Sequence, residues 1–431
     1  MRIRSVISVV FSAALLTSAG LLKAADWTHF RGPDRNGVAA EETAPLNWSR
    51  EKNIRWKAAL PQPGNSSPVV SGDRVFVTCA EDRRGTRRSL YCFSRADGKQ
   101  LWVKTVTYDK PDPTHAQNPY CASSPAADGK VVVAWHGSAG LHCYDYDGKE
   151  LWSRDLGRIR HVWGWAGSPV IHGDVIYLNC GPGVRTFVAA IDKKTGDVLW
   201  QTEEPGGAED KSKETGSWIG SWSTPVVTTV DGREQVLVFM PRKVNAYDPK
   251  TGQVLWYCTG AGDLAYTDVM LAEVPAGDGS GTGQRIGVAM AGYTGAAIGF
   301  KLGGSGDVTA ANRLWRETRN NPQRVGSGVI VGRHLFMPNE PYLACYDVTT
   351  GKELWRQSFP GERFWGSVVR AGDRLYVTSQ KGVTYVFAPD PKQFKLLATN
   401  DLDEGSNSTP AIADGQIFLR TDRHVWCVEE K

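Results

Sequence analysis

Ala190-Ile191-Asp192-Lys193-Lys194-Thr195-Gly196-Asp197-Val198-Leu199-Trp200 recurs as Ala246-Tyr247-Asp248-Pro249-Lys250-Thr251-Gly252-Gln253-Val254-Leu255-Trp256 and as Cys345-Tyr346-Asp347-Val348-Thr349-Thr350-Gly351-Lys352-Glu353-Leu354-Trp355. Looser copies end at Leu101-Trp102 and Leu151-Trp152, and only the tail survives at Arg55-Trp56 and Leu314-Trp315. Each copy is a β-hairpin. A strand ends in Asp, whose carboxylate can accept from the amides of the turn, and Gly supplies the positive φ that closes it. The returning strand carries an indole that a lone hairpin cannot cover, so a neighbouring unit must.

Upstream of these hairpins lies a second recurring string, Ser67-Pro68-Val69-Val70, Ser124-Pro125-Ala126-Ala127, Ser168-Pro169-Val170-Ile171, Thr224-Pro225-Val226-Val227 and Thr409-Pro410-Ala411-Ile412. Proline cannot donate to a ladder, so it marks an edge strand. A glycine turn and an alternating strand such as Arg74-Val75-Phe76-Val77-Thr78 follow. Each unit is thus four short strands, one propeller blade. Tryptophans 56, 102, 152, 200, 256, 315 and 355 are the docking series, with Leu396 or Leu397 in the next copy.

The chain ends one strand short of its last blade, and Asn53 to Lys57 supplies a fourth strand with no blade before it. Pairing the two predicts an all-β, eight-bladed propeller of antiparallel blades, closed by the N-terminal strand over residues 53–431. A seven-bladed ring would require Ala265 to Trp315, the loosest repeat, to be an insertion.

Residues 1–24 read as a secretory signal: Arg2 and Arg4, an apolar run from Val6 to Leu22, and Leu22-Lys23-Ala24 at the cut. A retained membrane anchor is the alternative, since the run nears the length a bilayer needs. Residues 25–52 form a lead-in. The protein is expected outside the cytoplasm, periplasmic or extracellular. Losing Arg2, Arg4 and Lys23 takes the net charge from +4 to +1, so nothing marks a nucleic-acid partner. With 41% hydrophobic and 22% charged residues the chain is globular rather than disordered.

Eight cysteines in an exported chain invite disulfides. Cys92, Cys143, Cys345 and Cys427, however, share one repeat position with Ala190 and Ala246, which describes a small core site. Cys79 with Cys92 is the one pairing left open.

The Ala-x-Asp-x-x-Thr-Gly-x-x-x-Trp string resembles the tryptophan-docking motif of the pyrroloquinoline-quinone (PQQ) dehydrogenase-like propellers, and the likeness in repeat order spans about residues 50 to 431. Trp27-Thr28-His29-Phe30-Arg31-Gly32-Pro33 with Asn36-Gly37 resembles a lead-in of exported PQQ-like propellers from planctomycete bacteria. The resemblance implies one of two roles. One is a quinoprotein dehydrogenase oxidising alcohols or sugars with PQQ and calcium; the other is a non-catalytic scaffold such as BamB. Fold alone does not choose between them.

The vicinal Cys-Cys pair of alcohol-oxidising members has no counterpart here, and no metal-ligand, nucleophile or phosphate-loop motif stands out. No catalytic or metal-binding residue is therefore assigned, and no cofactor is expected, with PQQ as the alternative. The expected role is a monomeric scaffold for a protein partner in the cell envelope. The alternative is a quinone-dependent oxidoreductase or a degenerate relative holding a small ligand in the central funnel. The inter-blade connections bring His115, Trp163, Trp165, Trp218, Trp222, Asp268, Arg324, Trp365 and Asn407 towards that funnel, with Asn118, Tyr266 and Phe364 nearby. Their indoles either line a recess suited to a planar cofactor, a sugar or a peptide, or cap the inner strands and plug the channel. The plug is the default.

Overall fold

The structure is a computed structural model, described over residues 26–40, 43–183, 185–204, 218–275, 283–318 and 323–430. The apolar leader lies outside those residues. Eight four-stranded antiparallel sheets follow one another around an axis. Blades 1 to 7 begin with inner strands Val69–Ser71, Ala126–Ala127, Val170–His172, Val226–Val230, Met270–Pro275, Val329–Val331 and Val369–Ala371. Blade 8 takes Ala411–Ala413, Gln416–Arg420 and His424–Glu429 from the end of the chain and its outer strand, Ile54–Ala59, from the beginning. Blade 5 is complete, through Gly283–Met290, Ala297–Lys301 and Arg313–Glu317, so the seven-bladed alternative falls.

The repeat chemistry is visible atom by atom. Asp192 Oδ1 accepts from the amides of Lys194 and Thr195, both at 2.8 Å, and Asp248 and Asp347 do the same in their turns. Directly across from each docking indole sits a small residue: Cys92, Cys143, Ala190, Ala246, Gly299, Cys345 or Cys427. All eight cysteines are free and buried; Cys79 pairs in register with Ser89, not with Cys92. Burial pushes the Cys92 thiol up to about 12.

Most docking indoles donate to a backbone carbonyl of the next blade, as Trp152 Nε1 does to Lys193 O at 2.8 Å. The turn glycine is the contact surface: a Cβ on Gly196 would stand 2.5 Å from the Trp152 ring. Trp256 departs from this, because blade 5 has no such turn. Its Nε1 donates to Gln235 within its own blade, and Gly306–Asp307 adds to its strand in parallel.

Blade 7 departs differently. The residue across from Val386 is Ala398, and Leu396 and Leu397 are exposed at 48% and 36%. Neither leucine takes the docking place. Trp48 of the lead-in does: it is buried and stacks on Tyr376 at 6.4 Å, as Trp200 meets Tyr177 and Trp355 meets Phe336 within their own blades. Ala398 lies in the same buried cluster, which joins blades 7 and 8.

Two features build the axis. Just before each inner strand, a backbone amide donates to the equivalent side chain of the following blade. Ser67 gives to Ser124, Ser124 to Ser168, Ser168 to Thr224, Thr224 to Asp268, Asp268 to Ser327, Ser327 to Ser367, Ser367 to Thr409 and Thr409 back to Ser67, all at 2.8–3.2 Å. This closed circle of eight explains the recurrent Ser/Thr before proline.

Inside it the lead-in winds around the channel in blade order. Trp27 bridges Val70, Thr28 O accepts from Ala127, His29 Nε2 meets Ile171, Arg31 reaches Asp268 and the Gly328 carbonyl, and Gly37 to Ala39 pair with Arg370. The lead-in, not the funnel indoles, plugs the channel.

Candidate functional site

Above the lead-in, the connections between outer and inner strands enclose a basin of about 680 Å3 with Phe30 among its lining residues. His115, Trp163, Trp222, Asp268, Trp365 and Asn407 line it, as do Asn118 and Tyr266. Trp165, Arg324 and Phe364 do not. Trp165 is buried against the Arg88 guanidinium, 4.8 Å from its ring. Arg324 is buried in the wall, its guanidinium bound to Glu317 at 2.9 Å and to Asn339. Phe364 packs on Phe359. Trp218 stands behind Trp163, centroids 5.0 Å apart.

Phe30, Gln117, Tyr293, Gln323, Glu340 and Arg363 also line it and were not singled out in the sequence, and the Ser/Thr circle contributes to the lining as well. Phe30 lay in a quoted motif, but nothing in the motif placed it on the axis. Tyr293 belongs to the loosest repeat, where no periodicity guides the eye.

The walls are unlike. On one side Trp163, Trp222, Tyr266 and Tyr293 pack together with Trp218 and His161; Trp222 and Tyr266 meet at 4.8 Å. Burial holds His161 down to about 4, so it is a neutral member of this cluster. On the other side amides interlock. Asn65 Nδ2 donates to Gln117 O and to Asn118 Oδ1 at 2.9 Å, and Asn407 Nδ2 donates to Gln117 O at 3.0 Å. Asn118 Nδ2 ties the two sides together through Trp163 O at 2.7 Å.

The two carboxylates at the basin, Asp268 and Glu340, are already engaged. Asp268, 3% exposed, accepts from the Thr224 amide at 2.8 Å and faces Arg31 at 3.7 Å. Burial pushes its carboxyl up and Arg31 pulls it back. Glu340 is likewise raised by burial and accepts from Trp365 Nε1 at 2.5 Å.

PQQ with calcium fits these residues poorly. Among the described residues no three of His, Cys, Asp or Glu converge as a metal site, whereas calcium needs several oxygens at once. PQQ is a tricarboxylate, and the lining offers one guanidinium, Arg363.

A closed ring of hairpins docked by repeated tryptophans agrees with the resemblance to the PQQ-like propellers. The chain belongs to the family whose model is described as outer membrane protein assembly factor BamB, which matches residues 38–119, 86–339 and 339–431. Among solved structures it is similar to BamB from Moraxella catarrhalis, at 16% identity and a TM-score of 0.58, covering 87% of this chain and 96% of that one. It is also similar to a europium-containing methanol dehydrogenase, at 13% identity and a TM-score of 0.68 over 91% and 89%. A quinohemoprotein alcohol dehydrogenase from Comamonas testosteroni gives 13% and 0.68 over 94% and 81%. These likenesses establish the fold. No curated protein matches the sequence.

Proposed function

We propose that this protein is a non-catalytic binding propeller of the cell envelope, exported and BamB-like in role, which holds a protein partner through its rims and loops. The observation that carries the reading is the state of the basin's two carboxylates. Asp268 is committed to Arg31 and the ring, and Glu340 to Trp365. Recognition surfaces remain, while both carboxylates are taken up in contacts that hold the ring and the wall together. The family model, described for an assembly factor, supports the same reading.

The rim offers apolar contact points. Leu101, Leu151, Leu199 and Leu354, each beside a docking tryptophan, are 36–52% exposed on the outer strands of blades 1, 2, 3 and 6. Two measurements test the proposal. Affinity capture from envelope extract, read by mass spectrometry, should enrich a component of outer-membrane protein assembly, and Trp163→Ala with Trp218→Ala should leave that capture unchanged. Purified protein mixed with PQQ and calcium should show no quinone absorbance and no dye reduction with alcohols or aldoses. Turnover in the second experiment would overturn the proposal.

A further inference from the structure

We infer that the basin is a lectin-like site for the end of a neutral oligosaccharide. The inference rests on the reading above only in treating the funnel as a place of binding rather than turnover.

The aromatic side is a shelf, not a cage. Trp163 lies 5.0 Å from Trp218, 6.1 Å from Trp222, 6.4 Å from Tyr266 and 6.2 Å from Tyr293, centroid to centroid. The rings are tilted to that of Trp163 by 34–61° and fill the space around it. They leave no empty centre of the kind that surrounds a quaternary ammonium ion. What they present is an extended apolar face, which suits the C–H face of a pyranose.

The facing side reads hydroxyls. Asn65 donates to Asn118 Oδ1, Asn65 and Asn407 both donate to the Gln117 carbonyl and Asn118 donates to Trp163 O, so the three amides are held in place before a ligand arrives. Trp163 Nε1, the Tyr266 and Tyr293 hydroxyls and His115 Nε2 have no hydrogen-bond partner among the described residues, which leaves them for a polyol. Charge argues against an anionic ligand. The lining guanidinium of Arg363 stands with two carboxylates, Asp268 and Glu340. A polyanion would meet no surplus of positive charge.

Shape decides which part of a glycan enters. The lead-in occupies the channel and Phe30 lines the basin above it, so a chain can enter but not thread through. A volume of about 680 Å3 suits a short oligosaccharide. At the mouth, Tyr293 is 59% exposed and held at φ 48°, with Thr294 at φ 65°, while its amide donates to Gln323 Oε1 at 2.7 Å. Two consecutive left-handed non-glycine residues are costly, and here the strain projects an aromatic ring over the opening.

The test is titration of the full chain with maltotriose, cellotriose and chitotriose, followed by tryptophan fluorescence and calorimetry. At least one should bind saturably, and a longer polymer of the same sugar should bind no tighter per chain end. Trp163→Ala should weaken binding roughly ten-fold and Tyr293→Ala by several-fold, the loss of one stacked aromatic contact. Tyr293 is exposed, so its substitution reports on the site even if the indole variant misfolds. Failure of all three sugars to saturate overturns the inference, as does binding that survives both substitutions or that PQQ displaces. Tyr293→Ala should leave protein capture intact. Capture without sugar binding therefore sinks this inference alone, and sugar binding without capture sinks only the scaffold reading.

Discussion

An indole taken from between two blades leaves a void that the sheets cannot close, because each strand is fixed by its ladder. Trp48 makes the sharpest case, since it lies outside the repeat yet stands where blade 7 has Ala398. Trp48→Ala should destabilise the fold by ~3–5 kcal/mol, as for other emptied aromatic sites. Leu397→Ala, on an exposed position, should change it by no more than about 0.5 kcal/mol; urea unfolding of the two variants measures the contrast. The recurring motif made seven tryptophans legible. It pointed to Leu396 or Leu397 for the eighth because they occupy the right place in the string. The turn of that hairpin is two residues longer than in the Ala190 copy: Phe387 pairs with Leu396 and Val386 with Ala398 where Ile191 pairs with Val198 and Ala190 with Trp200, so the docking place falls two positions later than the string suggests. The Cys/Ala position, by contrast, was readable as a small core site because its reason is local: it lies across from the indole.

The lead-in is an element without strands of its own, held by what it passes. Arg31 and Asp268 are its buried ionic contact, 1% and 3% exposed. Arg31→Ala strands the Asp268 carboxylate and should cost ~3–5 kcal/mol. Asp268→Ser in the same chain should recover most of that, because serine fills this place in five of the eight blades and can accept from the Thr224 amide. A double-mutant cycle by chemical denaturation gives the coupling. The lead-in also carries a pH dependence. Burial lowers the His29 pKa from 6.5 to about 3. The unfolded chain therefore takes up its proton near pH 6.5 while the folded chain refuses it until about pH 3. Stability from this group is complete above about pH 6.5 and lost progressively on acidification towards pH 3. His29→Gln should flatten the fall in unfolding free energy between pH 7 and pH 5. A slope unchanged by the substitution would show that His136 and His161, shifted in the same sense, account for it. None of these contacts was legible beforehand, since Trp27 to Gly37 touch residues far along the chain and show no periodicity.

Around the whole molecule the eight blades form a circuit, so damage at one joint is felt by all. Trp56 belongs to the closing sheet, packs on Phe418 at 5.9 Å and donates to Arg95 O in blade 1. Trp56→Ala should lower the melting temperature in a single transition by calorimetry; a separate early transition for blade 8 would show that the blades melt independently. The blade count and the closing strand were legible because they follow from counting units and finding an orphan at each end. The basin's walls were only half legible. Six of nine funnel candidates line the cavity, while Trp165 and Arg324 turn into the wall to meet buried partners that no local pattern announces. The way the lead-in is threaded also sets an order of events in time. Residues 27–39 fit inside a circle that exists only once blade 8 is made, and strand Ile54–Ala59 lies down beside His424–Glu429. That strand is among the first to be synthesised and can pair only when the last one exists, and until then its edge must be kept from other company.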